Sequence, residues 1–198
     1  RCGGVTDLSP LASCATLHTL NLSYCFRLSD ADLPALAGCA MLHILELRGS
    51  RRGLTDVSAL SLCPSLHTLN LRSCKGVEDV TALASCAALQ SLDLSYIRGL
   101  TDVSALAACA TLHTLKLRAT NVVDVSALAG CATLHTLQLT QTDVVDVSAL
   151  AGCATLHTLS LSFCFQLTDV SALAGCVSLQ RLYLSSCKLL TDVSALAG

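Results

Sequence analysis

Aromatic and charged residues are both scarce in this 198-residue sequence. It has no tryptophan, three tyrosines and three phenylalanines, so aromatic residues make up 3% of the chain. Charged residues make up 13%, with a formal net charge of −2. Apolar residues nonetheless reach 53%, supplied by Leu, Ala, Val and Cys, which excludes a disordered chain. We therefore expect a core of small aliphatic groups, which suits a narrow and regular interior.

Signals of membrane, nucleic-acid and catalytic function are also missing. No apolar run approaches the roughly 18 residues that a membrane helix needs, because Ser, Thr, His or Asp interrupts every stretch. The small net charge and the lack of a nucleic-acid motif argue against DNA or RNA as a partner. There is no glycine-rich phosphate loop, nucleophile elbow or pair of carboxylates at a shared site. We predict that the chain is not an enzyme, needs no cofactor or metal and does not insert into membranes.

Cysteine is abundant, but its placement does not indicate disulfides. The count of 13 is odd, and eight cysteines occupy one equivalent place in a repeated pattern. Thiols used as small hydrophobic groups explain this better than pairing does, and they favour a reducing compartment, so a cytoplasmic location is predicted. The eight are Cys14, Cys39, Cys63, Cys86, Cys109, Cys131, Cys153 and Cys176.

Internal repetition is the strongest signal in the sequence. The pattern L-x-x-L-x-L recurs eight times at spacings of 22 to 25 residues, a period typical of solenoids. Each L-x-L segment has the alternation of a strand that buries one face, so it should pair in parallel with its copies in adjacent units. Position one of the successive units is Leu17, Leu42, Leu66, Leu89, Leu112, Leu134, Leu156 and Leu179.

A second motif, D-V-S-A-L, is predicted to form the opposite side of each coil. It occurs unchanged at 56–60, 102–106, 124–128, 146–150, 169–173 and 192–196. Asp followed by a β-branched residue and Ser-Ala-Leu indicates one capped turn of 3₁₀ helix, with Val and Leu inward and the carboxylate accepting free backbone amides. The corresponding segment at 28–36 is two residues longer and is expected to form an α-helical turn.

The combined motif L-T-D-V-S-A-L-A-x-C-x-x-L-x-x-L-x-L resembles the leucine-rich repeat (LRR) family, specifically the short class of internalins and phosphatase-regulating subunits. The Cys- and Ala-rich composition and the recurrent L-H-T-L are similar to LRR proteins of kinetoplastid protozoa. The resemblance implies an α/β solenoid, a right-handed arc with a parallel concave sheet of about eight strands and short 3₁₀ turns on its convex side. It covers 1–198 as a single LRR domain of about eight repeats, which we expect to be truncated at both ends.

Two further rows of residues are predicted to be structural. Position nine, commonly Asn in the family, is Cys, Ser, Thr or Ile here, so thiols and hydroxyls should replace an asparagine ladder in part, while Ile97 can donate nothing. Position two is His in six units and Gln in two. A linear row of imidazoles lacks the converging geometry of a zinc site, so ring stacking or backbone bonding is favoured over metal binding. The histidines are His18, His43, His67, His113, His135 and His157.

Variation between units is concentrated at positions five, seven and eight, which should face outward from the sheet and where the scaffold is expected to impose no residue type. Units two, three and five carry basic side chains there, joined in the loops by Arg51, Arg52, Lys75 and Arg98, whereas units six and seven carry small neutral ones. Exposed aromatic residues beside Arg are typical of interface hot spots. The predicted partner-binding residues are Tyr24, Glu46, Arg48, Arg72, Asp93, Tyr96, Lys116, Arg118 and Tyr183.

Two hypotheses about function follow. The first is a non-enzymatic module that binds a protein partner on its concave face, with the basic units two to five orienting an acidic segment. The second is a structural spacer or self-associating segment of a longer solenoid, because neither end of the sequence shows the polar capping unit that a free solenoid needs. In the second case we expect end-to-end association between copies.

Overall fold

The first leucine of each L-x-L segment pairs with the first leucine of the next one. The computed structural model describes residues 4–50 and 53–196, and within them eight strands form one parallel sheet in the order of the sequence. The shared register aligns Leu20 with Leu45 and Leu45 with Leu69, and it continues in this way to Leu182. This sheet confirms the predicted solenoid. The strands are Thr19–Asn21 (β1), Ile44–Glu46 (β2), Thr68–Asn70 (β3), Ser91–Asp93 (β4), Thr114–Lys116 (β5), Thr136–Gln138 (β6), Thr158–Ser160 (β7) and Arg181–Tyr183 (β8).

Backbone hydrogen bonds join neighbouring coils beyond the ends of these short strands. After β1, the amide of Leu22 donates to the carbonyl of Glu46 and the amide of Tyr24 to the carbonyl of Arg48, both at 2.7 Å. The equivalent bonds recur in the following coils. They hold each coil at the spacing of neighbouring strands, about 4.8 Å.

Short 3₁₀ helices form the opposite side of the coils, as the D-V-S-A-L motif predicts. The Asp of the motif accepts the backbone N–H two residues on, as between Asp102 Oδ1 and the amide of Ser104 at 2.7 Å. This backbone bond is the main cause of a lowered pKa for the Asp102 carboxyl. The helices are Ser9–Ser13, Asp30–Gly38, Ser58–Leu62, Thr81–Ser85, Ser104–Ala108, Ser126–Gly130, Ser148–Gly152, Ser171–Gly175 and Ser194–Leu196.

The expectation of an α-helical turn in the second coil is wrong, because Asp30–Gly38 is also a 3₁₀ helix. Pro34 lies inside it and has no N–H, so it cannot make the bond to the carbonyl of Asp30 that an α-helix requires. A capping box fixes its start. The amide of Ser29 donates to Asp32 Oδ2 at 2.8 Å, and the Ser29 side chain in turn faces the amide of Asp32. The amide of Asp32 also donates to the carbonyl of Ser29 at 3.1 Å, which is a backbone bond of the first helical turn.

The repeated cysteines line the interior beside the leucines. From Cys39 to Cys176, seven thiols donate to a backbone carbonyl of the preceding coil, with sulfur-to-oxygen distances of 3.2 to 3.9 Å. Apart from Cys25, the cysteines among the described residues are free thiols. These seven thiols serve, as predicted, as small hydrophobic groups, and each of the seven also supplies a weak hydrogen bond between coils.

At position nine the side chain decides whether a bond crosses between coils. The thiol of Cys74 donates to the carbonyl of Leu47 in the preceding coil at 3.2 Å. The hydroxyl of Thr120 instead donates to the carbonyl of Leu117 in its own coil at 2.8 Å. Ile97 is fully buried and makes neither bond. The predicted replacement of an asparagine ladder is therefore confirmed for Cys74, Cys164 and Cys187, whose thiols donate to the preceding coil. The hydroxyls of Ser50, Thr120 and Thr142 donate within their own coils, and Thr142 Oγ1 also lies 3.5 Å from Cys164 Sγ of the next coil.

We expect the fold to lose stability steeply between about pH 9 and pH 11. Burial raises the pKa of Cys74, Cys86 and Cys131 to about 11 from an ordinary value of 9.0. In this window the unfolded chain releases these protons while the folded chain retains them, so raising the pH favours unfolding. Urea midpoints measured at pH 8 and pH 10.5 should show the decline.

The matched variant for this experiment is the double substitution Cys86→Ala and Cys131→Ala. It should be less stable at pH 8, because two buried side chains are truncated. Its midpoint should nevertheless fall less than that of the parent between pH 8 and pH 10.5. Equal declines in the two proteins would mean that tyrosine or lysine titration, rather than the buried thiols, controls alkaline unfolding.

Candidate functional site

Side chains at positions three, five, seven and eight line the outer side of the sheet, which we call the concave face. Position eight has a φ between 54° and 79° in all eight described units, and only one of these residues is glycine. In seven of these units the left-handed conformation lets the amide at position eight donate to the carbonyl at position seven of the next coil, as between Tyr96 and Arg118 at 2.7 Å. Position eight therefore forms the rim where the chain leaves the sheet.

The side chain at position five has a structural role in some units, which the sequence pattern does not indicate. Asn21, Asn70 and Asp93 each accept, through Oδ1, the backbone N–H two residues on, at 2.9 to 3.0 Å. These bonds stabilise the turn at the end of the strand. The expectation that the scaffold imposes nothing here is wrong for these three units, and Asp93, a predicted contact residue, has one carboxylate oxygen committed to its own backbone.

The first group of predicted contacts lies on coils one and two. The half-buried ring of Tyr24 packs over Gly49, where an added Cβ would stand only 2.8 Å from Tyr24 Cδ1. The guanidinium carbon of Arg48 lies 5.5 Å from the centre of the same ring, within the range of a cation–π contact. Phe26 meets Tyr24 edge-on at 6.2 Å and is 51% exposed. Phe26 therefore offers more aromatic surface to a partner than the half-buried Tyr24 does.

The second group lies at the centre of the face, on coils three to five. The guanidinium of Arg72 stacks on the ring of Tyr96, with its carbon 4.3 Å from the ring centre. The register of β3, β4 and β5 places Arg72, Ser95 and Arg118 side by side at position seven. Ser95 is completely buried, which we attribute to the two arginine side chains that flank it.

Two buried polar atoms in this central group have no hydrogen-bond partner among the described residues. They are Ser95 Oγ and Arg118 Nε. Leaving such a donor or acceptor unpaired costs about 1–3 kcal/mol, which is why native proteins rarely do so. Sequence reasoning included Arg118 but missed Ser95, for which the only signal is a small residue between two arginines in adjacent units.

The structure brings together some of the predicted residues and separates others. Lys116 stands beside Asp93 in the strand register, and both are half-buried. Tyr183 lies on β8, three strands beyond β5, and is 50% exposed. The loop residues Arg51 and Arg52 lie outside the described part of the chain. The central group comprises Arg72, Asp93, Tyr96, Lys116 and Arg118, and the first group comprises Tyr24, Glu46 and Arg48.

The face of coils six and seven is neutral, as predicted, and its hydroxyls bond to each other. Thr140 Oγ1 and Ser160 Oγ are 2.6 Å apart. At the rim beyond them, Phe163 meets Phe165 edge-on at 6.2 Å, and Lys188 Nζ lies 5.0 Å from the centre of the Phe165 ring. Both phenylalanines are more than 40% exposed, so this rim is a second aromatic surface that the predicted contact set does not include.

The histidines form two runs of neighbouring rings, interrupted by Gln90, in which three ring pairs are stacked and the pair of His43 and His67 is tilted by 50°. Ring centres within the runs are 4.8 to 5.2 Å apart. In five of the six histidines, Nδ1 lies 2.6 to 2.7 Å from the backbone carbonyl two residues earlier, which can only accept, so Nδ1 carries the hydrogen. Within residues 4–50 and 53–196 no group of three or more His, Cys, Asp or Glu side chains is placed to hold a metal ion.

The thiols nearest the concave face are poor nucleophiles. Burial raises the pKa of Cys164 and of Cys187, so both remain protonated at neutral pH. No helix in the described part of the chain has the length and apolar character needed to cross a bilayer. The arrangement of the face therefore favours recognition through charge, aromatic area and hydrogen bonds.

Comparison with known proteins identifies this architecture. A family model for leucine-rich repeats in two copies matches residues 154–198. An internalin, inlC2, from Listeria monocytogenes has a solved structure that superimposes with a TM-score of 0.79 at 31% identity, covering 92% of this chain and 77% of that one. No curated protein sequence matches the chain significantly.

Two further solved structures from Listeria monocytogenes share the fold. The internalin inlF superimposes with a TM-score of 0.86 at 29% identity over 96% of this chain, which spans 54% of the inlF chain. A domain of InlJ that includes a cysteine ladder superimposes with a TM-score of 0.56 at 16% identity, covering 95% of this chain and 48% of that one. At that identity the InlJ comparison shows the fold alone.

A parallel sheet on one side of a regular coil, with 3₁₀ turns on the other, defines a leucine-rich repeat solenoid. The chain belongs to the leucine-rich repeat family, in its internalin-like class of short repeats. Domains of this kind are typically non-enzymatic and bind other proteins. The similarity to kinetoplastid LRR proteins stays a prediction.

Substitutions at Asp93 should separate its structural role from its charge. Asp93→Asn keeps an oxygen that can accept the Ser95 amide, so we expect the free energy of unfolding to change by less than about 0.5 kcal/mol. Asp93→Ala removes the acceptor and should cost about 1 kcal/mol. Urea unfolding monitored by circular dichroism measures both. If Asp93→Ala were as stable as Asp93→Asn, the turn would not depend on this side chain.

Proposed function

We propose that the chain binds a folded protein partner on its concave face, with an acidic segment of that partner lying across coils two to five. The observation that carries this proposal is the cluster of Arg72, Lys116 and Arg118 around a single carboxylate, Asp93, at the centre of the face. A group of like charges on one surface steers an oppositely charged partner and orients it. The free thiols among the described residues support a reducing location for this complex.

The predicted aromatic contact residues have two different roles in this proposal. Tyr24 and Tyr96 support arginines, because Arg48 and Arg72 stack on their rings. Stacking restricts each guanidinium to a narrow range of positions, which lowers the entropy lost when a partner binds. Tyr183, by contrast, is half exposed and supplies contact area at the far end of the sheet.

Charge reversal on the concave face tests the proposal. We expect the triple variant Arg48→Glu, Arg72→Glu, Arg118→Glu to lose at least about tenfold in affinity for a partner captured by the wild-type chain, since each substitution replaces an attraction by a repulsion. The partner is first captured from a lysate and identified. Its affinity for purified wild-type and variant chains is then measured at several ionic strengths, and unfolding temperatures establish that both are folded.

The matched control is the triple variant Arg27→Glu, Lys75→Glu, Arg98→Glu. It makes the same change in net charge at exposed loop positions outside the sheet. Full affinity in this control, together with loss in the concave variant, supports binding on the concave face. Equal affinity in all three proteins, or equal loss in both variants, would contradict an oriented contact with coils two to five.

Self-association is a second candidate, favoured by apolar side chains on the last coil. Val177 is 82% exposed and Val193 is 50% exposed. Leu182 is only half-buried, whereas Leu159, its neighbour in register, is fully buried. A second copy stacking here would cover these groups and pair the free edge of β8.

Sedimentation velocity over a range of concentrations tests this candidate. Dimers that grow with concentration, and that Val177→Asp abolishes, would support it. The control is Val123→Asp, since Val123 is 49% exposed but lies on coil five. A monomer at every concentration, or dimers unaffected by Val177→Asp, would contradict end-to-end association.

A further inference from the structure

We infer that Arg72, Ser95 and Arg118 form an anchoring site for one carboxylate, supplied by an aspartate or glutamate side chain of the partner. This inference rests on the proposed function and names the point on the face where the acidic segment is held. It starts from the two unpartnered buried atoms, Ser95 Oγ and Arg118 Nε.

The two atoms belong to adjacent coils. The carbonyl of Ser95 accepts the amide of Ser73, and the carbonyl of Arg118 accepts the amide of Tyr96, so consecutive coils are held in fixed register at this position. Neighbouring coils at strand spacing bring their position-seven side chains about 5 Å apart. One oxyanion can bridge groups at that separation, and because both atoms are buried it reaches them when the half-buried side chain of Arg118 shifts.

The chemistry of the two groups selects the ligand. Arg118 Nε is a donor only, and a serine hydroxyl can donate as well as accept. An acceptor oxygen can therefore form a hydrogen bond with either group. The Nε edge of a guanidinium presents two parallel N–H groups, which match the two oxygens of a carboxylate. A buried, desolvated setting strengthens such charge-assisted bonds.

The surrounding charges favour an anion, although one group opposes it. Arg72 lies two residues beyond the end of β3, and Lys116 is the last residue of β5, two residues before Arg118. Asp93 lies in the same coil as Ser95 and repels an incoming carboxylate, but its Oδ1 already accepts the Ser95 amide at 2.9 Å. Arg72 is held over Tyr96 and is therefore positioned before the ligand arrives.

Coils six to eight lack the position-seven arginines that form this site. Their position-seven residues are Thr140, Ser162 and Ser185, with no arginine among them. Thr140 has a hydroxyl partner in Ser160 at 2.6 Å. A small hydroxyl residue at position seven thus becomes an anion site only where arginines flank it on both sides.

The test uses the ¹H–¹⁵N resonance of the Arg118 Nε–H group in the 198-residue chain, assigned by its loss in Arg118→Lys. The probes are acetate and, in a separate titration, inorganic phosphate, each against sodium chloride at equal ionic strength. We expect acetate to shift this resonance saturably and to slow its exchange with water. Ser95→Ala should weaken acetate binding about threefold or more, whereas the matched control Ser162→Ala should leave it unchanged.

Each other outcome overturns the inference. A response equal to that of chloride means general screening with no site. A saturable response to phosphate without one to acetate would identify a phosphorylated side chain as the ligand in place of a carboxylate. An acetate response that Ser95→Ala does not weaken would remove Ser95 from the site.

The outcome is separable from that of the proposed function because no partner is needed. If the triple charge-reversal variant loses its partner while acetate does not bind at Arg118, the concave face binds protein without this anchor. If acetate binds at Arg118 but charge reversal leaves partner affinity intact, the anchor exists and the proposed orientation of the partner fails. The variant Arg118→Lys, which keeps the charge but lacks Nε–H, should weaken a captured acidic partner about tenfold if both inferences hold.

Discussion

Every coil of this protein depends on its neighbours, because a coil of 22 to 25 residues cannot enclose its own leucines. The leucines of one coil are buried by those of the next, and the backbone bonds that hold the coils together repeat at the spacing of parallel strands. This single constraint sets the register of the sheet, the direction in which each side chain points and the distance between equivalent positions. A binding surface on such a scaffold is a grid, with rows fixed by position in the unit and columns fixed by the coil.

This grid explains why side chains of the same chemical type form rows along the solenoid. The same geometry stacks imidazoles at about 5 Å, aligns thiols with the carbonyls of the preceding coil and places a left-handed residue at the rim of every coil. Most rows are occupied by one residue type and stabilise the scaffold. Where a row changes from coil to coil, as at position seven, neighbouring side chains differ and can form a local site. The pairing of arginines with Ser95 is one such place.

Interior and surface therefore make different demands on the residues. Inside, a thiol fits beside leucine and gives a weak bond to the preceding coil, and burial raises the pKa of thiols such as Cys74, so they stay protonated. On the face, Arg48 and Arg72 are held by aromatic rings and are positioned before any partner arrives. The small net charge of the chain does not reveal the basic residues of the face, because the acidic residues that balance them lie largely in the turns on the opposite side, where they accept backbone amides.

The sequence alone determined the period, the strands, the parallel register, the 3₁₀ turns and the burial of leucine and cysteine, because each of these follows from a pattern repeated at fixed spacing. It also indicated which positions face outward. Two details within single coils also escaped the repeat pattern, since Pro34 keeps the longer turn in 3₁₀ form and Asp93 holds its own backbone. Tertiary structure decided what depends on contacts across coils. Arg72 lies over Tyr96, and Ser95 is fully buried in a row between Arg72 and Arg118, each more than 20 residues away along the chain, so no pattern within a single unit reveals either arrangement.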